Sequence, residues 1–521
     1  MRCPLGNTHL QSYEKHMVEE NRAYWAPMQM RGEKWIYVYH EWPECQIFDL
    51  FESIVAKGLQ DREKSPIISM TYLDTVSEAN RKFTNELDDS FGIKEQCQIV
   101  ANRRVSWLSN VRTFLAAQFI SHFTYGKKEK LFLARYRGIE IGDRIHDAIL
   151  REVSISSRGK QADCFDISQF SYFQYIRRSL LIIDQAYAIF KKRKPAYVVT
   201  SECLYAPGLA GDVASKLGAK LIINPPRGGW KILVQINPGS RFFLGDMIRQ
   251  QIETYMQKTS WTEDSEEDFF VMSMENTSEQ NLTQRLGLDP NKKNVFILPQ
   301  ILIDTPRESY EHGIYHDYNE WLLSTLKIIQ NVSNVNWIIK DHPMSAAYLQ
   351  DGYIKRQFEK YKTSNMYWCD KAISGVKIKE IADCVITCSG DVGLEYWAYG
   401  IPTITTSKSF YCDWGISYSM KTQKEYEAVL QNIEGLQPPT PQSMKAAQRY
   451  LFVSKHMSDS EDELTLLFKS TFEKYYKAQK KGESFDGLAP YLLCKKYTEF
   501  LNTRQVEKSS IYRLENICEL S

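Results

Sequence analysis

The chain has 521 residues, 43% hydrophobic and 25% charged, with 65 Lys and Arg against 64 Asp and Glu. That length exceeds what one hydrophobic core normally spans, so at least two domains are expected. A net charge of +1, without a stripe of basic and aromatic residues, excludes a nucleic-acid binder driven by phosphate contacts. No apolar run approaches the roughly 20 residues of a membrane helix. The opening segment MRCPLGNTHLQSYEKHMVEE has no apolar stretch of the signal-peptide kind. The 11 cysteines are odd in number and scattered; they read as core thiols, and the chain as cytoplasmic.

Residues 1 to about 33 are polar and read as an irregular arm. Trp35 to His40 (WIYVYH) predicts a strand, Cys45 to Leu59 a helix, and Pro66 to Met70 a second strand. Residues 76–130 read as helical and rich in charge, and Ser168 to Lys192 as a long amphipathic helix followed by more basic residues. Ala196 to Thr200, Pro207 to Leu217, Gly218 and Lys220 to Asn224 make strand, helix, glycine cap and strand. A short helix between two apolar strands implies parallel pairing. The acidic run EDSEED at 263–268 predicts a surface linker.

A second α/β series follows: strand 294–298, helix 319–329, strand 336–340, helix 346–359, strand 384–388 and strand 402–406. Residues 441–521 read as helices with charged and aromatic positions interleaved. The expected organisation is an N-terminal Rossmann-like domain over 1–260, a linker over 261–290, a C-terminal Rossmann-like domain over 291–440 and a helical tail over 441–521. Two parallel-sheet α/β domains facing across a cleft, with such a tail, fit the GT-B architecture. In open α/β sheets ligands sit beyond the carboxyl ends of the strands, which singles out Glu202, Gln300, Asp304, Lys340, His342, Ser389 and Gly390.

The segment ADCVITCSGDVGLEYWAYGIPT (382–403) carries the most information. It reads as strand, tight turn and helix, with Ser389 and Gly390 presenting backbone N–H groups at the helix N-terminus. Such a terminus attracts phosphate, and Glu395 further along could accept from ribose hydroxyls; a plain helix cap with a solvated glutamate is the alternative. His342 precedes Pro343, which biases it to extended geometry. It is either a ligand contact or a loop histidine satisfied by its neighbours. Asp304, in an Asp-Thr-Pro sequence, is equally a turn residue, and Glu202 equally an acid beside a helix N-terminus. Tyr411 and Trp414 either stack on a ligand or pack the core. Arg135 and Arg137 either meet an anionic acceptor or are solvated.

FILPQILIDTP (296–306), WIIKDHP (337–343) and the segment 382–405, together with TSECLYAPGLAGDVASKLGAKLI (200–222), resemble bacterial capsule polysaccharide biosynthesis proteins, a group that includes the retaining β-Kdo transferases. The resemblance covers about 195–225 and 290–415. It implies a sugar-nucleotide-dependent glycosyltransferase with CMP-Kdo as the expected donor. In that reading Asp304 is a nucleophile of a retaining reaction, Glu202 the acid/base, and His342 and Lys340 the groups that meet the donor's charge. Gln300 either orients a donor group or simply caps the strand end. Asp391 departs from the family pattern, which has a hydroxyl residue in that turn. No cofactor and no metal are expected, since no Asp-x-Asp motif stands at a strand end. The expected partners are a nucleotide-sugar donor and a glycan or glycolipid acceptor, with peripheral contact to the inner membrane or to other assembly proteins. A CDP-polyol phosphate transferase, a sugar-nucleotide epimerase and a non-catalytic binding protein on the same scaffold are the alternatives.

Overall fold

A computed structural model describes residues 10–25, 34–43, 46–73, 78–100, 106–156, 165, 167, 171–223, 233–240, 243–257, 282–309, 313–346, 348, 350–456, 488–502 and 518–520. The chain forms two compact units. One comprises Met1–Ala148, Phe170–Phe242 and Met457–Ser521; the other Ile149–Gln169 and Phe243–His456.

In chain order the first unit contributes α1 (Ser12–Tyr24), β1 (Trp35–His40), α2 (Gln46–Glu63), β2 (Ile67–Tyr72), α3 (Glu78–Ser90), β3 (Glu95–Ile99), α4 (Trp107–Thr124), α5 (Lys128–Phe132), β4 (Arg135–Tyr136) and β5 (Ile139–Glu140). After α6 (Gly142–Ser156) come α7 (Phe173–Lys192), β6 (Pro195–Thr200), α8 (Leu209–Lys216), β7 (Lys220–Ile223) and β8 (Val234–Ile236). The second unit contains α9 (Leu244–Met256), α10 (Leu282–Leu286), β9 (Asn294–Ile297), α11 (Tyr318–Ile329), β10 (Asn336–Lys340), α12 (Tyr353–Tyr361), β11 (Met366–Cys369) and α13 (Gly375–Lys379). It continues with β12 (Cys384–Thr387), α14 (Val392–Ala398), β13 (Thr403–Thr405), β14 (Tyr418–Ser419), α15 (Gln423–Gln431) and α16 (Pro441–His456). The chain then returns to the first unit with α17 (Leu488–Asn502) and β15 (Cys518–Leu520).

The first sheet runs β15-β8-β7-β6-β1-β2-β3 and is parallel except where β8 turns back along β7. Its interior strand β1 is buried on both faces, as a parallel sheet between helices requires. Ile36 and Val38 join a core with α1, α2, α3 and α17. On the opposite face Tyr37 meets Phe190 of α7 edge-on, and the Tyr39 hydroxyl donates to the Pro207 carbonyl. The second sheet, β11-β10-β9-β12-β13-β14, is parallel throughout. Phe296, Ile338 and Val385 pack with Ile373, Ile378, Tyr396 and Ile401 on one face. Asp317 caps α11, its side chain accepting from the Glu320 amide.

The mixed α/β class, with two Rossmann-like parallel sheets and a helical C-terminal part, is as expected, and this composition is that of the GT-B class. Several details differ. Residues 12–24, expected to be irregular, are helix α1, which buries Met17, Val18 and Asn21; its apolar positions are too sparse to show a period, and its partner α17 lies far along the chain. β3 lies inside the stretch expected to be helical; it is an edge strand with exposed residues and so lacks an apolar signal. The helix expected over 346–359 starts at Tyr353, because Gly352 takes a left-handed conformation at its N-cap. The tail divides: α16 packs on α14 and α9, whereas α17 packs on α1. α9 belongs to the second unit, where Arg249 pairs with Asp413 at 2.6 Å. Residues 258–281, including the acidic run, lie outside the described residues.

Candidate functional site

From β9 the second sheet grows outward through β10 and β11, then the chain crosses back to β12 on the other side of β9. The gap between β9 and β12 is therefore the topological switch point, where open α/β sheets bind ligands. Gln300 and Ser389 meet there. Gln300 Nε2 donates to Ser389 Oγ at 2.7 Å, and Gln300 Oε1 accepts from the Ser389 amide at 2.9 Å. The Tyr318 hydroxyl at the start of α11 lies 3.4 Å from the same Oγ. Gly390 N–H donates to Thr387 Oγ1 at 3.3 Å, and a Cβ at Gly390 would stand 2.9 Å from that oxygen. The turn is thus built around small residues, but not as expected from the sequence: the Ser389 and Gly390 amides are turned onto side chains of the protein itself. Gln300 acts here as the brace of the serine turn.

One strand away, β10 ends in Lys340. Its side chain is 7% exposed, and among the described residues no hydrogen bond or ion pair engages its Nζ. Burial lowers its pKa from the ordinary lysine range, opposed by nearby Cys369, Asp341 and Asp370. Asp341 is pushed up to about 6, mainly by burial, while its Oδ1 accepts from the His342 amide at 2.7 Å. His342 is half-buried, and its Nδ1 accepts from the Met344 amide at 3.1 Å. A neutral ring with Nδ1 as acceptor must carry its proton on Nε2, so His342 is set as an Nε2–H donor.

Glu395 lies in the first turn of α14 and is 9% exposed, not on a solvated face. Asp391 is the N-cap, without a side-chain capping bond. Tyr411 is buried, and its hydroxyl donates to the Gly390 carbonyl at 2.6 Å. That hydroxyl leaves room only for glycine at 393, where a Cβ would come within 2.2 Å. Trp414 stacks on Tyr450 at 3.6 Å and donates to Glu253. Both rings pack within the protein.

Asp304 follows β9 as the exposed residue of an otherwise buried turn, and its amide donates to the Ile301 carbonyl at 3.1 Å. Its neighbour Thr305 has φ 48°, a costly conformation for a β-branched residue. Gln350, fully buried, holds this loop by accepting from the Leu302 amide at 2.8 Å.

In the first unit the switch point lies between β1 and β6. Glu202 follows β6 and is half-exposed; Cys203 and Tyr205 after it have φ 59° and 54°. Strain of this kind gathers at functional loops and persists only where the surroundings enforce it. Here Glu41 accepts from the Cys203 amide at 2.8 Å, while Arg144 donates to the Cys203 carbonyl at 2.7 Å and pairs with Asp212. Glu202 and Asp304 are therefore each followed by a non-glycine residue in the left-handed region.

Beneath this loop lies a group not foreseen from the sequence. His40 at the end of β1 contacts Glu52 through Nδ1 at 2.7 Å and Asp88 through Nε2 at 3.2 Å, with Asp49 at 3.3 Å; all are buried. Burial alone would lower the histidine pKa, but Asp88 and Asp49 raise it well above the usual value. Glu52 is pushed up to about 7, first by burial. Among the described residues His40, Asp49 and Glu52 have the spacing to hold an ion. Both ring nitrogens of His40 are already turned to carboxylates, which fits an imidazolium rather than a metal ligand.

Arg135 pairs with Glu140, and Arg137 pairs with Asp184 at 3.0 Å while lying over the Tyr187 ring. Both have partners within the chain.

No family model matches the chain, and no curated protein does. Among solved structures, spinosyn rhamnosyltransferase SpnG aligns with 84% of this chain and 99% of its own at 10% identity, with a TM-score of 0.26. HepE from Anabaena in complex with UDP aligns with 85% of this chain and 100% of its own, at 13% identity and a TM-score of 0.28. The β-Kdo 2,4 transferase of KpsC from Thermosulfurimonas dismutans aligns with 49% of this chain and 87% of its own, at 13% identity and a TM-score of 0.28. At such values no residue is carried over from these proteins, and the fold assignment rests on the two sheets. No described helix is long and apolar enough to cross a membrane.

Proposed function

We propose that the chain is a nucleotide-sugar-dependent glycosyltransferase whose donor is held at the carboxyl edge of the second sheet. The observation that carries this reading is a braced serine turn at the switch point, with a buried lysine and a donor-set histidine at the carboxyl end of the neighbouring strand β10. An anionic group placed there would meet Lys340 Nζ and His342 Nε2–H, both aided by low dielectric. Glu395 takes the ribose hydroxyls. Asp304 is the nucleophile of a retaining reaction and Glu202 the acid/base toward the acceptor, a glycan or glycolipid. CMP-Kdo is the donor we favour, on the sequence motifs. The chemistry needs no cofactor beyond the donor.

Thermal unfolding with CMP, CDP and UDP tests the reading. A ligand at 100 times its Kd stabilises by about 2.7 kcal/mol, so the cognate nucleotide should raise Tm measurably. Lys340→Met should abolish that shift while leaving the unligated protein as stable or more so, because burial makes the ammonium costly to hold there. CDP protection without CMP protection would favour the polyol-phosphate reading, and UDP protection a different donor or an epimerase. No protection by any nucleotide would end the proposal.

A further inference from the structure

We propose that the outward face of α4 is a docking surface for an anionic lipid bilayer, a reading independent of the nucleotide site. Among the described residues, every exposed large apolar side chain falls between positions 107 and 133. Trp107 is 74% exposed, Leu108 71%, Phe119 66% and Leu133 80%, with Leu115 and Phe123 between. Soluble surfaces scatter such residues singly; a concentrated patch marks an interaction site.

The helix is inside-out. Its buried positions are Ser109, Thr113, Ala117 and Thr124, small or polar residues, and it packs on α7. The rotation is fixed by polar pins: Ser109 Oγ donates to Asp184 at 2.6 Å, Arg112 donates to the same carboxylate, and Arg177 donates to Asn110 at 3.0 Å. Turning the aromatic face inward would leave the buried Asp184 without these donors. The apolar face is therefore directed outward by specific bonds and not left over from poor packing.

Charge decides the occupant. Residues 107–124 contain no Asp or Glu. The helix ends in an exposed turn followed by Lys127, Lys128 and Lys130, with Glu129 the only acid among them. A helix lying in the membrane interface combines these parts: Trp, Phe and Leu toward the acyl boundary and lysines at the anionic headgroups. A helix of this length runs about 27 Å, yet its polar pins hold it to the protein, so it lies along the surface and does not cross.

The test uses the full chain and sedimentation with vesicles. Vesicles of phosphatidylethanolamine with one-third phosphatidylglycerol should pellet the protein, and phosphatidylcholine vesicles at least tenfold less. Leu115→Ser/Phe119→Ser/Phe123→Ser should lower anionic-vesicle partitioning at least tenfold, with Tm unchanged and any nucleotide-induced Tm shift retained. Lys127→Gln/Lys128→Gln/Lys130→Gln should lower it several-fold, most at low salt. Failure to pellet with anionic vesicles, or equal pelleting of the triple serine variant, would overturn the proposal. So would sedimentation velocity showing a dimer that the serine variant dissolves, since the face would then belong to a second copy.

Discussion

Gln300 shows how a residue's position can be read from the sequence while its partner in the fold cannot. Its position after an apolar strand marks it in the sequence, but its bonds reach Ser389, which lies 89 positions away. No local pattern reports such a pair. Gln300→Leu removes both bonds to Ser389, so the turn should loosen and nucleotide affinity should fall at least tenfold by calorimetric titration. A hydrogen bond of this kind contributes about 1 kcal/mol. Unchanged affinity would separate the brace from the site. His342 was legible as a strand-end residue because proline follows it; its tautomer was not, since that depends on the Met344 amide. If Nε2–H is the working donor, His342→Ala should lower activity about 10²-fold. His342→Gln, which places an amide N–H near Nε2, should keep more activity than His342→Asn. The reverse order would assign the role to Nδ1.

Among the elements, those with dense apolar patterning were readable: β1, β2, β6, β7 and every strand from β9 to β13 except β11. α1 was not, because its fold-determining contacts are tertiary. Tyr497 on α17 donates to Asn21 Oδ1 at 2.8 Å and accepts from Trp25 Nε1 at 3.3 Å, within a buried cluster that also includes the Asn21–Ser90 bond. Tyr497→Phe removes the donor and leaves Asn21 and Trp25 short of a partner, at a cost of about 1–3 kcal/mol. The expected result is faster hydrogen exchange in peptides from α1 and α17 with that of β9–β12 unchanged. Uniform behaviour across both sets would show that α1 is held by something other than this cluster.

For the whole molecule, composition and two alternating series of strands and helices sufficed to foresee two parallel sheets. They did not foresee the buried charges under the first one. His40, Glu41 and Glu52 all have raised pKa values in the fold. A raised histidine stabilises below its unfolded value near 6.5 and loses that contribution as pH climbs past its folded value. A raised carboxyl likewise means that the folded state binds more protons, here from about pH 4.5 up to the Glu52 value of about 7. Both signs agree: these groups make the first unit less stable as pH rises, by about 1.4 kcal/mol per pH unit for each extra proton held. Asp49 and Asp88 also face His40 and favour its charged form. Hydrogen exchange of β1 and β2 peptides should thus quicken between pH 5.5 and 8.0 beyond the intrinsic chemical rate. Glu52→Gln should flatten that dependence. A first unit that gains stability over this range would contradict the charge assignment.

The return of α17 to α1 has a consequence for synthesis. Tyr497 lies 476 positions after Asn21, and a ribosome adding roughly 5–20 residues per second needs roughly 25–95 s to make that stretch. Through that interval α1 waits with Met17, Val18 and Trp25 short of their final neighbours, whereas the second unit has all its described strands once residue 419 is made. The second unit is an insertion in the timetable as well as in the chain: it can finish folding before the first. A nascent chain arrested near residue 460 should yield a protease-resistant second unit beside a first unit that is still digestible and apt to recruit a chaperone.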